Sequence, residues 1–197
     1  MGITIHYKGN FNPKSSLSQM IEEVKDIAEV QKWKYHIFET EFPENSFGKK
    51  TYDEEIYGTC FSPPECEPVM LCFLSNGRMA NPFYYDYWLK SKIKKDKYLI
   101  SLCFTKTQFA GSEAHKIIIH LLRHISKKYL KNFSLTDEGH YWETNDEKLL
   151  EETFKEYSYL INAVSGALQT GHLKNGETIE EYMLRIFKEV HLRRKKE

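Results

Sequence analysis

The sequence has no long apolar run, no excess of charge of either sign and only four cysteines among its 197 residues. The absence of about 18 consecutive apolar residues excludes a membrane-spanning helix, and no membrane partner is expected. Residues 1–6 alternate like a strand and do not resemble a secretory signal, so we expect a cytoplasmic protein. The 28 basic and 28 acidic residues give a net charge of zero. This balance argues against nucleic acid as a partner, because nucleic-acid binding requires excess positive charge.

Several catalytic and metal-binding motifs are also missing. The cysteines, at 60, 66, 72 and 103, form no Cys-x-x-Cys pair, which argues against a zinc site. Cys66 lies between two glutamates, whose negative charge disfavours a reactive thiolate. There is no Gly-rich phosphate loop, no Gly-x-Ser-x-Gly and no dinucleotide fingerprint. We therefore expect no metal and no cofactor.

The sequence does contain the periodic patterns of an α+β fold. Strands are indicated by alternation and helices by apolar residues at spacings of three and four. Residues 69–74 are apolar on both faces, as in a central strand, and Asn76-Gly77 is typical of a turn. The predicted strands cover residues 3–8, 34–41, 56–61, 69–75 and 98–105, with a weaker strand or hairpin over 133–143. The predicted helices cover 16–33, 84–93, 112–125, 150–168 and 178–192.

The two strand-to-helix junctions resemble each other. Lys8-Gly9-Asn10-Phe11 and Lys106-Thr107-Gln108-Phe109 both read Lys-x-amide-Phe, and each is followed by a helix. The match predicts two β-α-β-β-like units that share one antiparallel sheet, with helices on one face. This is a ferredoxin-like or TATA-binding-protein-like duplication, which describes architecture and not function. The predicted single domain, 1–197, comprises units 1–78 and 98–144, a connector 79–97 and two additional C-terminal helices within 145–197.

The duplication would place polar residues at equivalent strand ends. Lys8 and Asn10 would match Lys106 and Gln108, and Arg78 follows the turn after the fourth strand. Cations and amides at strand ends suit an anionic ligand such as a carboxylate or a phosphate. The alternative is that these residues simply end strands in contact with solvent.

A second candidate site lies in the segment 137–143, Asp-Glu-Gly-His-Tyr-Trp-Glu. Glu138 and His140 could act as general acid and base on a small anionic substrate. The same residues also suit a turn with no chemical role.

Three hypotheses follow. The first is a binding or protein-interaction domain with a pocket for a small anionic ligand. The second is an enzyme that uses Glu138 and His140. The third is a weak nucleic-acid binder that uses the basic segments 90–97 and 193–196, with aromatic rings stacking on bases. The apolar stripe of the 178–192 helix needs a partner, which either the domain itself or a second copy in a homodimer would supply.

Overall fold

The computed structural model describes residues 2–90 and 99–194. Over these residues the chain is α+β, with two small antiparallel sheets and six helices. In chain order the elements are β1 (Thr4–Phe11), α1 (Leu17–Val30), β2 (Lys34–Ile37), β3 (Tyr57–Ser62), β4 (Val69–Phe73), α2 (Pro82–Lys90), β5 (Cys103–Lys106), α3 (Gly111–Tyr129), β6 (Leu130–Asp137), α4 (Tyr141–Thr144), α5 (Glu147–Thr170) and α6 (Ile179–Arg194).

The strands form two three-stranded sheets, where the sequence predicted one. Sheet A has the order β5-β1-β6, and sheet B has the order β2-β3-β4. β1 pairs antiparallel with both β5 and β6, so the first strand of the chain belongs with the second half. Because β1 is not part of sheet B, the strands β2, β3 and β4 form a sheet of their own. The internal duplication stays a prediction.

The segment Gly77–Met79 joins the two sheets. It follows the edge of β1 beyond the end of β5: the Phe11 N–H donates to the Gly77 carbonyl (2.7 Å), and the Met79 N–H donates to the Gly9 carbonyl (3.0 Å). The Met70 N–H of β4 donates to the Tyr7 hydroxyl of β1 (2.7 Å). This joining explains why β4 is buried along its length although β3, not β4, is the middle strand of sheet B.

Sheet A has one covered face and one open face. Ile3, Ile5 and Tyr7 point into the hydrophobic core, whereas His6 and Lys8 are exposed on the opposite face. α3 contacts β6, and α1 contacts β2 and β3, so both helices lie over the core. One cluster of buried side chains includes residues of both sheets.

Two predicted helix starts are confirmed by their caps. The Ser16 hydroxyl accepts the Gln19 N–H, and α1 begins at the next residue. The Thr178 hydroxyl accepts the Glu181 N–H, while the Glu181 carboxylate accepts the Thr178 N–H, which is a complete capping box. α3 differs from the prediction, because it begins at Gly111 with no side-chain cap rather than after Ser112.

Other element boundaries also differ. The strand predicted over 98–105 is limited to β5, and the pattern at 133–143 is β6 followed by the one-turn α4, without a hairpin. The helix predicted over 84–93 begins earlier, at Pro82, and its predicted end lies outside the described residues.

The last two helices pack against each other. Tyr182 and Ile186 of α6 are buried, and the Tyr182 hydroxyl donates to the Leu168 carbonyl at the end of α5. The domain itself therefore covers part of the α6 stripe, and the homodimer stays a prediction. Within residues 2–90 and 99–194, no helix is both long enough and apolar enough to cross a membrane.

Candidate anion-binding site

A cavity of about 550 Å³ opens where the end of β1, the start of β6 and the turn after β4 meet. We call it the basic cavity, because four cationic residues line it: Lys49, Lys50, Arg78 and Lys131. Its volume lies within the range that is usual for small-molecule sites. Asn10 and Asn76 add side-chain amides to the lining.

Strand register places three of the polar residues in one row. Asn10 pairs with Lys131 of β6 on one side and with Arg78 on the other. Residues directly opposite each other in an antiparallel pair share a face, with Cβ atoms about 5 Å apart. β6 carries one extra residue between the Lys8 and Asn10 pairings, and its Asn132 adopts a left-handed φ of 50°. This bulge leaves the alternation of β1 intact, so Asn10 lies on the open face between two cations.

The predicted turn at Asn76-Gly77 positions Arg78. The Gly77 N–H donates to the Leu74 carbonyl (2.8 Å), and the Leu74 N–H donates to the Arg78 carbonyl (2.9 Å). The Asn76 side chain accepts the Arg78 N–H (3.1 Å). Gly77 has a φ of +80°, which glycine adopts without the strain a Cβ would cause. The turn therefore fixes the backbone from which the guanidinium extends.

A loop after β2 brings the two remaining lysines. The Phe47 ring packs directly over Gly77 and lies 4.8 Å from the Phe42 ring in an edge-on arrangement. The Asn76 side-chain amide donates to the Lys49 carbonyl (3.2 Å). These two contacts attach residues 46–50 to the turn, and Lys49 and Lys50 line the same cavity as Lys131.

The charged residues that are described in the lining of the basic cavity are all cationic. No Asp or Glu is among the described residues that line it, and no ion pair within 2–90 and 99–194 involves any of its four cations. The Arg78 guanidinium does donate to the Ser101 hydroxyl (3.1 Å). Burial raises the pKa of Tyr52, and the positive charge of Arg78 partly opposes that rise. The positive charges thus remain available to an incoming anion.

The structure brings two of the five predicted ligand-binding residues into this cavity, Asn10 and Arg78. Lys106 pairs with Thr4, which is four residues from Lys8 and so roughly 13 Å away along β1. Gln108 is buried and accepts the Ile3 N–H (3.1 Å). Lys8 and Lys106 are separated because β1 and β5 run antiparallel, so that corresponding positions of the two strands lie at opposite ends of the pair.

The predicted acid–base pair is not assembled around His140. The Glu138 carboxylate accepts the Thr4 N–H (2.9 Å) and lies 3.8 Å from the His6 imidazole. His140 is exposed and has a left-handed φ of 60°, and no hydrogen bond or ion pair between it and Glu138 is found in the described part of the chain. The sequence did not indicate His6, because its proximity to Glu138 arises only from strand pairing.

A buried polar network lies next to that turn. The His115 imidazole is 3.0 Å from Asp137 Oδ1 and 2.7 Å from the Thr107 hydroxyl. Burial alone would raise the pKa of Asp137, but the adjacent His115 imidazole and the N–H groups of Trp142 and Gly139, which donate to the carboxylate, lower it. The three residues are at most 2% exposed, so no substrate reaches them and the network serves to hold β6, α3 and the following turn together.

Two further features concern the Cys66 thiol and groups of residues that could bind a metal ion. Burial, followed by the charge of Glu67, raises the pKa of Cys66 to about 12. No group of three or more His, Cys, Asp or Glu residues that could hold a metal ion is found among the residues that the structure describes.

Comparisons with protein-family models, with curated proteins and with solved structures found no match.

Proposed function

We propose that this protein is a binding protein for an anionic ligand, whose charged group is held in the basic cavity. The observation that supports this most strongly is the row Lys131–Asn10–Arg78. It lies in a cavity with two further lysines, and none of the described residues that line this cavity is an Asp or a Glu.

The chemistry of the row suits a phosphate or a carboxylate. A guanidinium can donate two parallel hydrogen bonds to such a group, and the two classes of anion share this geometry. Lys131 contributes a point charge from the other side, and the Asn10 amide donates between them. Binding in this arrangement requires no covalent step.

Isothermal titration calorimetry with pyrophosphate and with citrate tests the proposal. We expect Arg78→Ala to weaken binding of the preferred anion about tenfold or more, because hydrogen bonds to charged groups contribute roughly 1.5–3 kcal/mol. Lys131→Glu should weaken it further, because it also introduces repulsion.

The matched control is Lys148→Glu, which makes the same charge change on α5 at a side chain that is 86% exposed. It should leave the affinity within about twofold, because salt screens exposed charges beyond about 10 Å. Failure of both anions to bind the unaltered protein, or an equal loss in Lys131→Glu and Lys148→Glu, would contradict the proposal.

The enzymatic role, the protein partner and the internal duplication stay predictions. An enzymatic role for Glu138 and His140 would require the two groups to meet a common substrate, and Glu138 contacts His6 instead. Interaction with a protein partner and the internal duplication are not needed for anion binding.

A further inference from the structure

The open face of sheet A carries a second cavity, of about 420 Å³. His6 and Lys8 of β1 line it, together with Phe104 of β5 and two hydroxyl residues of β6, Ser134 and Thr136. Register places Lys8 opposite Ser134 and His6 between Thr136 and Phe104. The cavity is thus built across all three strands of the sheet.

Its aromatic wall extends beyond the sheet. The Phe104 ring lies 6.2 Å from the His6 ring and 6.3 Å from the ring of Tyr84 in α2, in tilted arrangements. Three rings therefore lie side by side next to a cation and two hydroxyls. Such rings on an open sheet face form a platform on which a planar group can stack.

Residues of β1 line both this cavity and the basic cavity. His6, Lys8 and Asn10 lie at alternate positions on the same face of β1, and the four steps from His6 to Asn10 span roughly 13 Å. Arg78 lines the basic cavity, while its hydrogen-bond partner Ser101 lines the second cavity. A ligand that follows β1 would therefore pass from the rings to the cations without leaving the sheet.

Positively charged residues are concentrated along the two cavities. The described lining residues of the two cavities include five Lys or Arg and no Asp or Glu, although the chain has 28 of each sign. The zero net charge that argued against nucleic acid in the sequence therefore conceals a local basic surface. Only local charge matters for a ligand in contact with it, because more distant charges are screened.

We propose that the anionic ligand is single-stranded nucleic acid, which lies along the open face of sheet A. This rests on the proposed function, because the basic cavity would hold the phosphates. Phe104 and its neighbouring rings would stack on a base, and Lys8 would contact the phosphate between the two cavities. The combination of a basic track with stacking rings is the recognition mode of proteins that bind single strands without strong sequence preference.

Fluorescence anisotropy with labelled oligothymidines of two, four and eight nucleotides tests the proposal. We expect affinity to rise from two to about four nucleotides, near the lower end of known site sizes. Phe104→Ala should weaken binding of the tetranucleotide by roughly tenfold, the effect of losing one stacked base. The same change should weaken pyrophosphate binding much less, because pyrophosphate has no planar group to stack.

Lys8→Gln should weaken tetranucleotide binding and reduce its dependence on salt, because one fewer counterion is released. Lys148→Gln on α5 is the matched control and should do neither.

The outcomes separate this proposal from the previous one. If pyrophosphate binds but the affinity for oligothymidine does not change with length, or does not respond to Phe104→Ala, then the nucleic-acid proposal is wrong and the anion site stands. If neither pyrophosphate nor any oligothymidine binds, both proposals fail.

Discussion

Gly77 is the residue on which the basic cavity depends most. Its φ of +80° turns the chain so that Arg78 lies beside Asn10, and its missing side chain leaves room for the Phe47 ring. A Cβ at this position would stand 2.3 Å from the edge of that ring. One glycine therefore sets both the turn that carries the arginine and the loop that carries the two lysines.

Replacement of Gly77 by alanine should lower the free energy of unfolding by about 2–4 kcal/mol, through backbone strain and overpacking together. Chemical denaturation measures this loss. Gly48→Ala is the matched control, because Gly48 has a similar φ of +78° but no atom within 4 Å of its added Cβ. It should lose only about 1 kcal/mol. Equal losses in the two variants would show that the Phe47 contact does not matter.

The sequence predicted Asn10 and Arg78 as ligand-binding residues, and both line the basic cavity; it did not indicate the lysines that line the cavity with them. The turn at Asn76-Gly77 gave a local signal for Arg78, since Asn-Gly favours the positive φ that such turns need. No local pattern relates position 49 to position 131, which only strand pairing and the Phe47 contact bring together. The similarity between Lys8 and Lys106 did not indicate that they lie apart, because similarity in sequence contains no information on strand direction.

At the scale of elements, Glu23 connects the two long helices over the core. Its carboxylate on α1 accepts hydrogen bonds from Lys128, His124 and Tyr129 at the end of α3. Burial would raise the pKa of Glu23, but these donors outweigh it and lower the pKa to about 2. The contact therefore stabilises the fold only while the carboxylate is charged.

The stability that Glu23 contributes should depend on pH. The stabilisation by Glu23 should be complete above about pH 4.5, the ordinary value, and should be lost as the pH falls toward about 2. Because the side chain is 32% exposed, we expect only about 1 kcal/mol at neutral pH. Urea unfolding of Glu23→Gln at neutral and acid pH measures it, and the difference from the unaltered protein should shrink in acid. Glu22→Gln removes the same charge from the outer side of α1 and should show no such pattern.

The sequence predicted the helices better than the sheets. Helical periodicity and capping are local, so α1 and α6 begin where Ser16 and Thr178 indicated. Strand partners are not local: β1 pairs with two strands that follow it by about 100 and by about 120–130 residues, and the expected single sheet is divided into two. The apolar run at 69–74 indicated burial correctly, but burial of β4 comes from the Gly77–Met79 segment rather than from a central position.

At the scale of the whole molecule, the distribution of charge matters more than its sum. The chain is neutral, yet the acidic residues of the described ion pairs lie mainly on the helices. Among the described residues, no ion pair involves the Lys and Arg residues that line the two cavities, although the Glu138 carboxylate lies beside His6. The composition could not reveal this separation, because it depends on which residues the fold brings to one face.

A ¹⁵N–¹H NMR titration with pyrophosphate would show whether anions bind in the basic cavity, as we claim. We expect the largest amide shifts at Asn10, Phe11, Arg78, Lys131 and Asn132, with little change along α5 and α6. These amides lie on the three adjacent segments that form the cationic row. Shifts confined to other surfaces, or no shifts at millimolar pyrophosphate, would contradict the claim.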